Sequence, residues 1–412
     1  MKINVDYIAR VEGESSVNIE LKAGKLEGLR LNIWEPPRFF EGFLVGRKYD
    51  EVPDIVSRIC GICPVSHMTT AISALENAIG FEPSPEIKKA RDIMVLSQIA
   101  ASHLVHLCAL VLPDYQGSAM LMGPEKEIKR FLRVKEAVNN VTAVLGGRAL
   151  HPVSMVVGGF TKLPPRREVE GMITDLEEVT KDVLEIVKAV SALEYPTLVA
   201  EAEYVALCAG DAYALNGGMI TSSSGTEFEI GKYHDFFRED EVPYSNAKRT
   251  ILKGKSPVMV GALSRLSLKL ETLHPEARRA ALSNGFTGVK KSPFFNILAQ
   301  AIEVVHCVWE CIEILSTLSC EDSLLPVKPR EGAGAAMTEA PRGLLYHEYT
   351  VSRLGIIEKA NIVTPTVYNF VSLEENLKKL VNENIGKPAE ELSLLCEMLV
   401  RAYDPCFSCS VH

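Results

Sequence analysis

Residues 17–33 alternate apolar and polar positions on either side of Gly24, the period of a half-buried strand, and predict a β-hairpin. The period then lengthens. Residues 51–80 read as helix, interrupted at Cys60-Gly61-Ile62-Cys63, with a new helix beginning near Pro64. Pro83 and Pro85 mark a boundary, after which 86–112 predict a long, strongly apolar helix. Residues 124–145 and 165–193 predict two more, with charged faces such as Glu125, Lys126, Glu127 and Lys129. The linker from Gly146 to Gly159 is glycine-rich and is expected to pack closely. Short apolar runs and Thr221-Ser222-Ser223-Ser224-Gly225 predict strands and turns across 199–263. Helical periodicity returns at 292–319. Residues 332–370 read as loops and short strands, with Pro341 and Pro365 as breaks, and 372–402 as helix. There is no internal repeat.

These elements predict a mainly α chain with smaller β regions, of α+β class, built on a bundle of long helices. Length alone would allow two or three domains. The expectation is nevertheless one domain over 1–412, because cysteines near its two ends have reason to meet. Within it, 1–50 supply the hairpin and loops and 51–195 the helical bundle. Residues 196–265 form a β-containing insertion, and 266–412 supply helices, active-site loops and the C-terminal ligand segment. With 47% hydrophobic residues the chain can bury a large core. The uncharged run from Ile93 to Pro113 contains Ser97, Gln98, Ser102, His103 and His106, which hydrocarbon would penalise. It therefore predicts a buried core helix, not a membrane span. A net charge of −9 with no basic run argues against nucleic acid as a partner. The first residues, Met1-Lys2-Ile3-Asn4-Val5-Asp6, carry no apolar segment of the signal-peptide kind. Ten cysteines without an export signal predict reduced thiols in a reducing compartment, so a cytoplasmic location is expected.

Cys60 and Cys63 form one Cys-x-x-Cys pair, Cys406 and Cys409 another. Four converging thiolates mean a metal site or a pair of disulfides. A structural zinc needs these pairs and nothing more, and spacing alone does not separate it from a redox metal. The neighbours of both pairs favour the second. His67 lies one helical turn after Cys63 and can reach a thiolate. Asp404 precedes Cys406 by two, and His412 follows Cys409 by three. The first pair also sits before a helix N-terminus, which lowers thiol pKa. Cys307 and Cys311, one turn apart after His306, lie among Val304, Val305, Val308 and Ile312 and read as inert core thiols. Cys108, Cys208, Cys320 and Cys396 are isolated, so no iron–sulfur cluster of the chain's own is expected.

The run Arg58-Ile59-Cys60-Gly61-Ile62-Cys63-Pro64-Val65-Ser66-His67, with Asp404-Pro405-Cys406 through His412, resembles the two signatures of the nickel–iron hydrogenase large subunit. Arg10-Val11-Glu12-Gly13, Pro37-Arg38-Phe39-Phe40-Glu41-Gly42, Glu339-Ala340-Pro341-Arg342-Gly343 and Ile362-Val363-Thr364-Pro365-Thr366 match further motifs of that family, in order along the whole chain. The phrasing Arg401-Ala402-Tyr403-Asp404-Pro405-Cys406 looks most like its cytoplasmic, cofactor-coupled group. The resemblance implies reversible cleavage of dihydrogen to protons and electrons at a nickel held by Cys60, Cys63, Cys406 and Cys409. Cys63 and Cys409 would also bridge to an iron bearing one carbon monoxide and two cyanides. Such a centre carries a formal charge on the order of −2 that needs compensation when buried.

The same resemblance implies that Arg342 is the compensating cation, Cys406 the thiolate that takes the proton, and Glu12 the proton relay beside it. Thr366 would hydrogen-bond cyanide, and Pro341 and Pro365 would shape the pocket around the diatomic ligands. Glu41, His412 and the carbonyl of Ile362 would hold magnesium. His151 would face an iron–sulfur cluster of a small partner subunit, through which electrons leave. Further flavin, nicotinamide, deazaflavin or ferredoxin-linked subunits are expected beyond it. Two positions depart from the family pattern. Glu14 stands where many members have His, and Ala101-Ser102-His103 where many have His-Asp-His, so Ser102 replaces an aspartate. Two readings from other classes remain beside this one. They are a non-catalytic interaction subunit with a structural zinc on the same four cysteines, and a thiol–disulfide oxidoreductase.

Overall fold

The computed structural model describes residues 2–116, 125–210, 212, 213, 215–255, 257–320 and 323–411. The predicted hairpin is Ser15–Lys22 paired antiparallel with Lys25–Ile33. Ala23 and Gly24, at φ 50° and 73°, make the two-residue turn that suits the strands' twist. Val17, Ile19, Leu29, Leu31 and Ile33 point into the core. Lys2–Val5 adds a third strand on the free edge of Ser15–Lys22.

Four long helices make the bundle: Pro85–Val105, Glu125–Gly146, Arg166–Ser191 and Phe295–Thr317, each packed on its neighbours. Phe295–Thr317 is buried on nearly every side from Asn296 to Val308, which makes it the central rod. Ser84 caps Pro85–Val105 by accepting from the Ile87 N–H at 3.3 Å. That helix then widens to a π-turn over His106–Val111 and continues as Leu112–Gln116. The whole stretch Pro85–Gln116 is long and apolar enough to cross a membrane, and 72% of its most apolar window is buried inside the protein.

Across Pro64–Ile79 lies an antiparallel meander of Gly332–Ala340, Gly343–Val351 and Ile357–Val363. The pattern reading expected loops and short strands here. Gly and Ala are weak strand formers, so Gly332–Ala340 shows its strand only through pairing and burial. The helical reading of 372–402 also needs correction. The helix starts earlier, at Pro365, ends at Glu383, and resumes as Ala389–Ala402. Gly386 takes φ 106° and Pro388 follows, so the first helix cannot run on. The strands expected in 199–263 form a sheet of Val258–Met259, Glu203–Cys208, Met219–Ser222 and Glu227–Glu229, in that order. A separate pair joins Phe237–Asp240 to Arg249–Leu252. Their apolar faces form a small second core with Tyr346 and Tyr368. The main core runs from Ile3 to Val411 and holds all four candidate metal-binding cysteines.

Candidate metal centre

Cys60 is extended after the helical turn Ser57–Ile59, and Cys63 caps Pro64–Ile79, with Pro64 at the first helical position. Far along the chain, Asp404 adopts φ 49° and bends the backbone ahead of Pro405 and Cys406, and Phe407–Ser410 close one helical turn. The two segments meet. Cys60 Sγ lies 3.6 Å from Cys406 Sγ, Cys63 Sγ lies 3.7 Å from Cys409 Sγ, and all four sulfurs fall within 4.8 Å of one another. None of the four forms a disulfide, and all are buried. Four sulfurs around one metal at about 2.3 Å stand about 3.8 Å apart, so this spacing fits a shared ion. Hydrogen bonds from Cys406 and Cys409 hold Cys60 well below the ordinary thiol range, while burial pushes Cys406 and Cys409 well above it. Several thiolates coexist in such a pocket only with a cation among them.

Glu12 is aimed at this cluster. Its carbonyl accepts the Phe407 N–H at 2.8 Å, and its Oε2 lies 2.9 Å from Cys406 Sγ. The carboxylate also accepts from the Ser408 N–H at 3.2 Å and from the Ser408 hydroxyl. Gly13 makes this approach possible. It sits at φ 86°, and a Cβ there would stand 2.7 Å from Ser408 N.

Arg342 lies in the tight connection between Gly332–Ala340 and Gly343–Val351, where Gly343 at φ 126° packs against Val260. Its Nε donates to the carbonyl and Oδ1 of Asp404, at 2.8 and 3.0 Å, and its Nη2 pairs with Oδ1 at 2.9 Å. Burial raises the Asp404 carboxyl, but Arg342 and His106 outweigh it and leave that group below its usual range. Gln300 adds a donor to Asp404 at 2.9 Å. The Nη1 of Arg342 is buried without a partner. An orphaned guanidinium nitrogen beside four thiols fits an anionic group on the metals. Thr366 accepts the Cys406 N–H at 2.8 Å, which frees its hydroxyl hydrogen to donate, and Thr364 donates to the Cys409 carbonyl at 3.2 Å.

Other expected residues take these places. His67 Nδ1 faces His347 Nε2 at 3.2 Å, and His347 Nδ1 in turn meets the Tyr349 hydroxyl at 2.7 Å. Glu41 accepts the Ile362 N–H at 2.8 Å, which brings those two together; His412 lies outside the described residues. His151 Nδ1 sits 2.8 Å from the Ser57 carbonyl, just ahead of Cys60, and its neighbours Leu150 and Val153 are exposed. Pro341 precedes Arg342 in its turn, and Pro365 opens the last long helix. Glu14 is held through its backbone to Glu35 and Trp34. Ser102 is buried, its hydroxyl is unpartnered, and it lines a cavity of about 290 Å³ with Gly61, Ile62, Pro64 and Gln98. Sequence reasoning missed the pairing of Asp404 with Arg342, the tie between Ser408 and Glu12, Thr364, and the contacts of Arg38. The one available signal was their position inside or beside the Cys and Arg motifs.

Two stretches, 38–123 and 232–412, match the family model described as nickel-dependent hydrogenase. The alpha subunit of sulfhydrogenase 1 from Pyrococcus furiosus is 37% identical, over all of this chain and 98% of its own length. The alpha subunit of sulfhydrogenase 2 from the same organism is 33% identical, over 100% and 99%. The structure of an NAD+-reducing [NiFe]-hydrogenase in the H2-reduced state superposes with a TM-score of 0.91, at 26% identity, covering 100% of this chain and 99% of that one. With four buried sulfurs gathered from distant segments and relatives aligned from end to end, the chain belongs to the nickel-dependent hydrogenase family, as a large subunit.

Proposed function

We propose that this chain is the catalytic subunit that cleaves dihydrogen reversibly and heterolytically into protons and electrons. The observation that carries the reading is the sulfur cluster with a carboxylate oxygen 2.9 Å from one of its members, Cys406. The centre is read as nickel held by Cys60, Cys63, Cys406 and Cys409. Cys63 and Cys409 would also hold an iron with one carbon monoxide and two cyanides. When bound, that centre supplies the Lewis acidity and redox change that the side chains lack. The residues do the rest. Cys406 Sγ takes the proton and passes it to Glu12, within hydrogen-bond reach. Arg342, fixed by Asp404, offers its free Nη1 to the cyanides and offsets negative charge in a dry pocket. Thr366 would offer its hydroxyl hydrogen to a cyanide, Pro341 and Pro365 would shape the pocket around the diatomic ligands, and His67 would support the thiolates. Glu41, the Ile362 carbonyl and His412 would hold magnesium.

Electrons leave through an iron–sulfur small subunit, on the side of His151, and onward through further subunits. The chain acts as one domain, in the cytoplasm. A structural zinc would be satisfied by the same sulfurs, but it gives no role to Glu12 at Cys406 or to the free nitrogen of Arg342. The deciding measurement is metal analysis with infrared spectroscopy on the purified complex. Nickel and iron with carbon monoxide and cyanide bands are expected, whereas zinc without such bands would end the reading. Cys406→Ser should abolish hydrogen turnover, and retained activity would remove Cys406 from the ligand set.

A further inference from the structure

Arg38 touches both halves of the sulfur cluster's frame. Its Nη2 donates to the carbonyl of Ile59 at 2.6 Å and to the carbonyl of Ser408 at 2.6 Å. Ile59 directly precedes Cys60, and Ser408 directly precedes Cys409. The Arg38 backbone N–H donates to the Val411 carbonyl at 3.1 Å. One residue therefore ties the segment before the first thiol pair to the segment carrying the second. Its guanidinium carbon stands 5.3 Å over the Phe40 ring, which holds the fork in place. Its Nε is buried and unpartnered.

Its charge is as informative as its bonds. The carbonyls and the ring are neutral, and among the described residues Arg38 makes no ion pair. Arg342, the other guanidinium of the site, is paired with Asp404. Glu12 brings a further carboxylate to Cys406. A half-buried cation with no counter-charge, hydrogen-bonded to the carbonyls that directly precede two thiol ligands, has the thiolate cluster as its natural partner in a low-dielectric setting.

We propose that Arg38 is a positioning residue of the metal centre. It clamps the Cys60 and Cys409 segments together, and its unpaired charge draws electron density from the thiolate-bound metals. This rests on the nickel–iron reading given above. The test uses the intact complex, with Arg38→Gln and Arg38→Lys compared by nickel content and infrared spectroscopy. In Arg38→Gln, bound nickel should fall at least about twofold, as a loosened ligand frame binds metal less well. The carbon monoxide band of the remaining centres should move to lower wavenumber, because losing a nearby positive charge strengthens donation from iron into the ligand. Arg38→Lys keeps the charge and should return the band to its original position. An unshifted band in Arg38→Gln, or one that lysine does not restore, overturns the proposal. If Arg38→Gln holds no metal, lysine decides alone. Nickel above half the original content with an unshifted band sustains the proposal, and an empty Arg38→Lys protein overturns it. Absence of such bands from the unsubstituted complex would instead overturn the nickel–iron reading itself.

Discussion

Glu12 is held in two ways at once: its backbone is bridged to Cys406, and its carboxylate accepts from Ser408 while facing the Cys406 sulfur. A group fixed this firmly can accept a proton without rearranging, which is what general-base catalysis requires. Glutamine keeps the shape and an acceptor oxygen but cannot take up the proton. Glu12→Gln should leave nickel and iron bound and slow hydrogen–deuterium exchange by about 10²-fold or more. Mass spectrometry of the gas phase measures this directly, and exchange at the original rate would take Glu12 off the proton route. Contiguous motifs made Glu12, Arg342 and the cysteines legible before any coordinates. The contacts of Arg38 with Ser408, and of Arg342 with Asp404, were not, since each joins positions far apart in sequence. Periodicity and spacing report on neighbours along the chain, not on partners across it.

The helix Phe295–Thr317 links the bundle to the metal centre. Its Gln300 holds Asp404, and its Glu303 pairs with Arg265 at 2.5 Å and with His103 at 2.6 Å. Arg265 reaches on to Glu339 and to the carbonyls of Ala340 and Pro341, so the turn bearing Arg342 rests on this buried network. None of these buried charges was visible in the helical pattern, which fixed the length of the helix but not what its polar residues met. His306, on the same helix, accepts the His274 backbone N–H at 3.0 Å through Nδ1 and so must be neutral. Burial lowers it from 6.5 to about 4. Between those values the unfolded chain binds the proton more readily. The contribution is therefore complete above pH 6.5 and is lost as pH falls toward 4. About 3 kcal/mol of stability is at stake. His306→Gln keeps an acceptor without titrating. Its urea midpoint should vary less over that window than that of the unsubstituted protein, and equal slopes would show that His306 is not the group responsible. Glu303 and Asp404 are both lowered as carboxyls, and their contributions go only further into acid.

At the scale of the molecule, the fold exists around a closure between cysteines 346 positions apart. The four long helices and the meander carry the bulk of the core; the helices were legible because burial follows the helical period, whereas the meander, rich in Gly and Ala, was read only as loops and short strands. The closure itself was legible only as chemistry: thiol pairs that had reason to meet. The segment 404–411 shows how it is made. Arg342 takes Asp404, Thr366 takes Cys406, Glu12 takes Phe407 and Ser408, Thr364 takes Cys409, and Arg38 takes Ser408 and Val411. These partners come from four separate parts of the fold, so an ion on the four sulfurs binds the assembled state and not the unfolded chain. Binding of that kind adds its full free energy to folding. The complex purified from nickel-replete cells should therefore melt at least about 5 °C above the same complex from nickel-starved cells. Hydrogen exchange should separate the two forms most at 404–411, and far less in the helix Arg166–Ser191, whose burial owes nothing to the sulfurs. Equal melting temperatures in the two preparations, with equal protection at 404–411, would mean that side chains alone hold the closure and that the metal only occupies a site already complete.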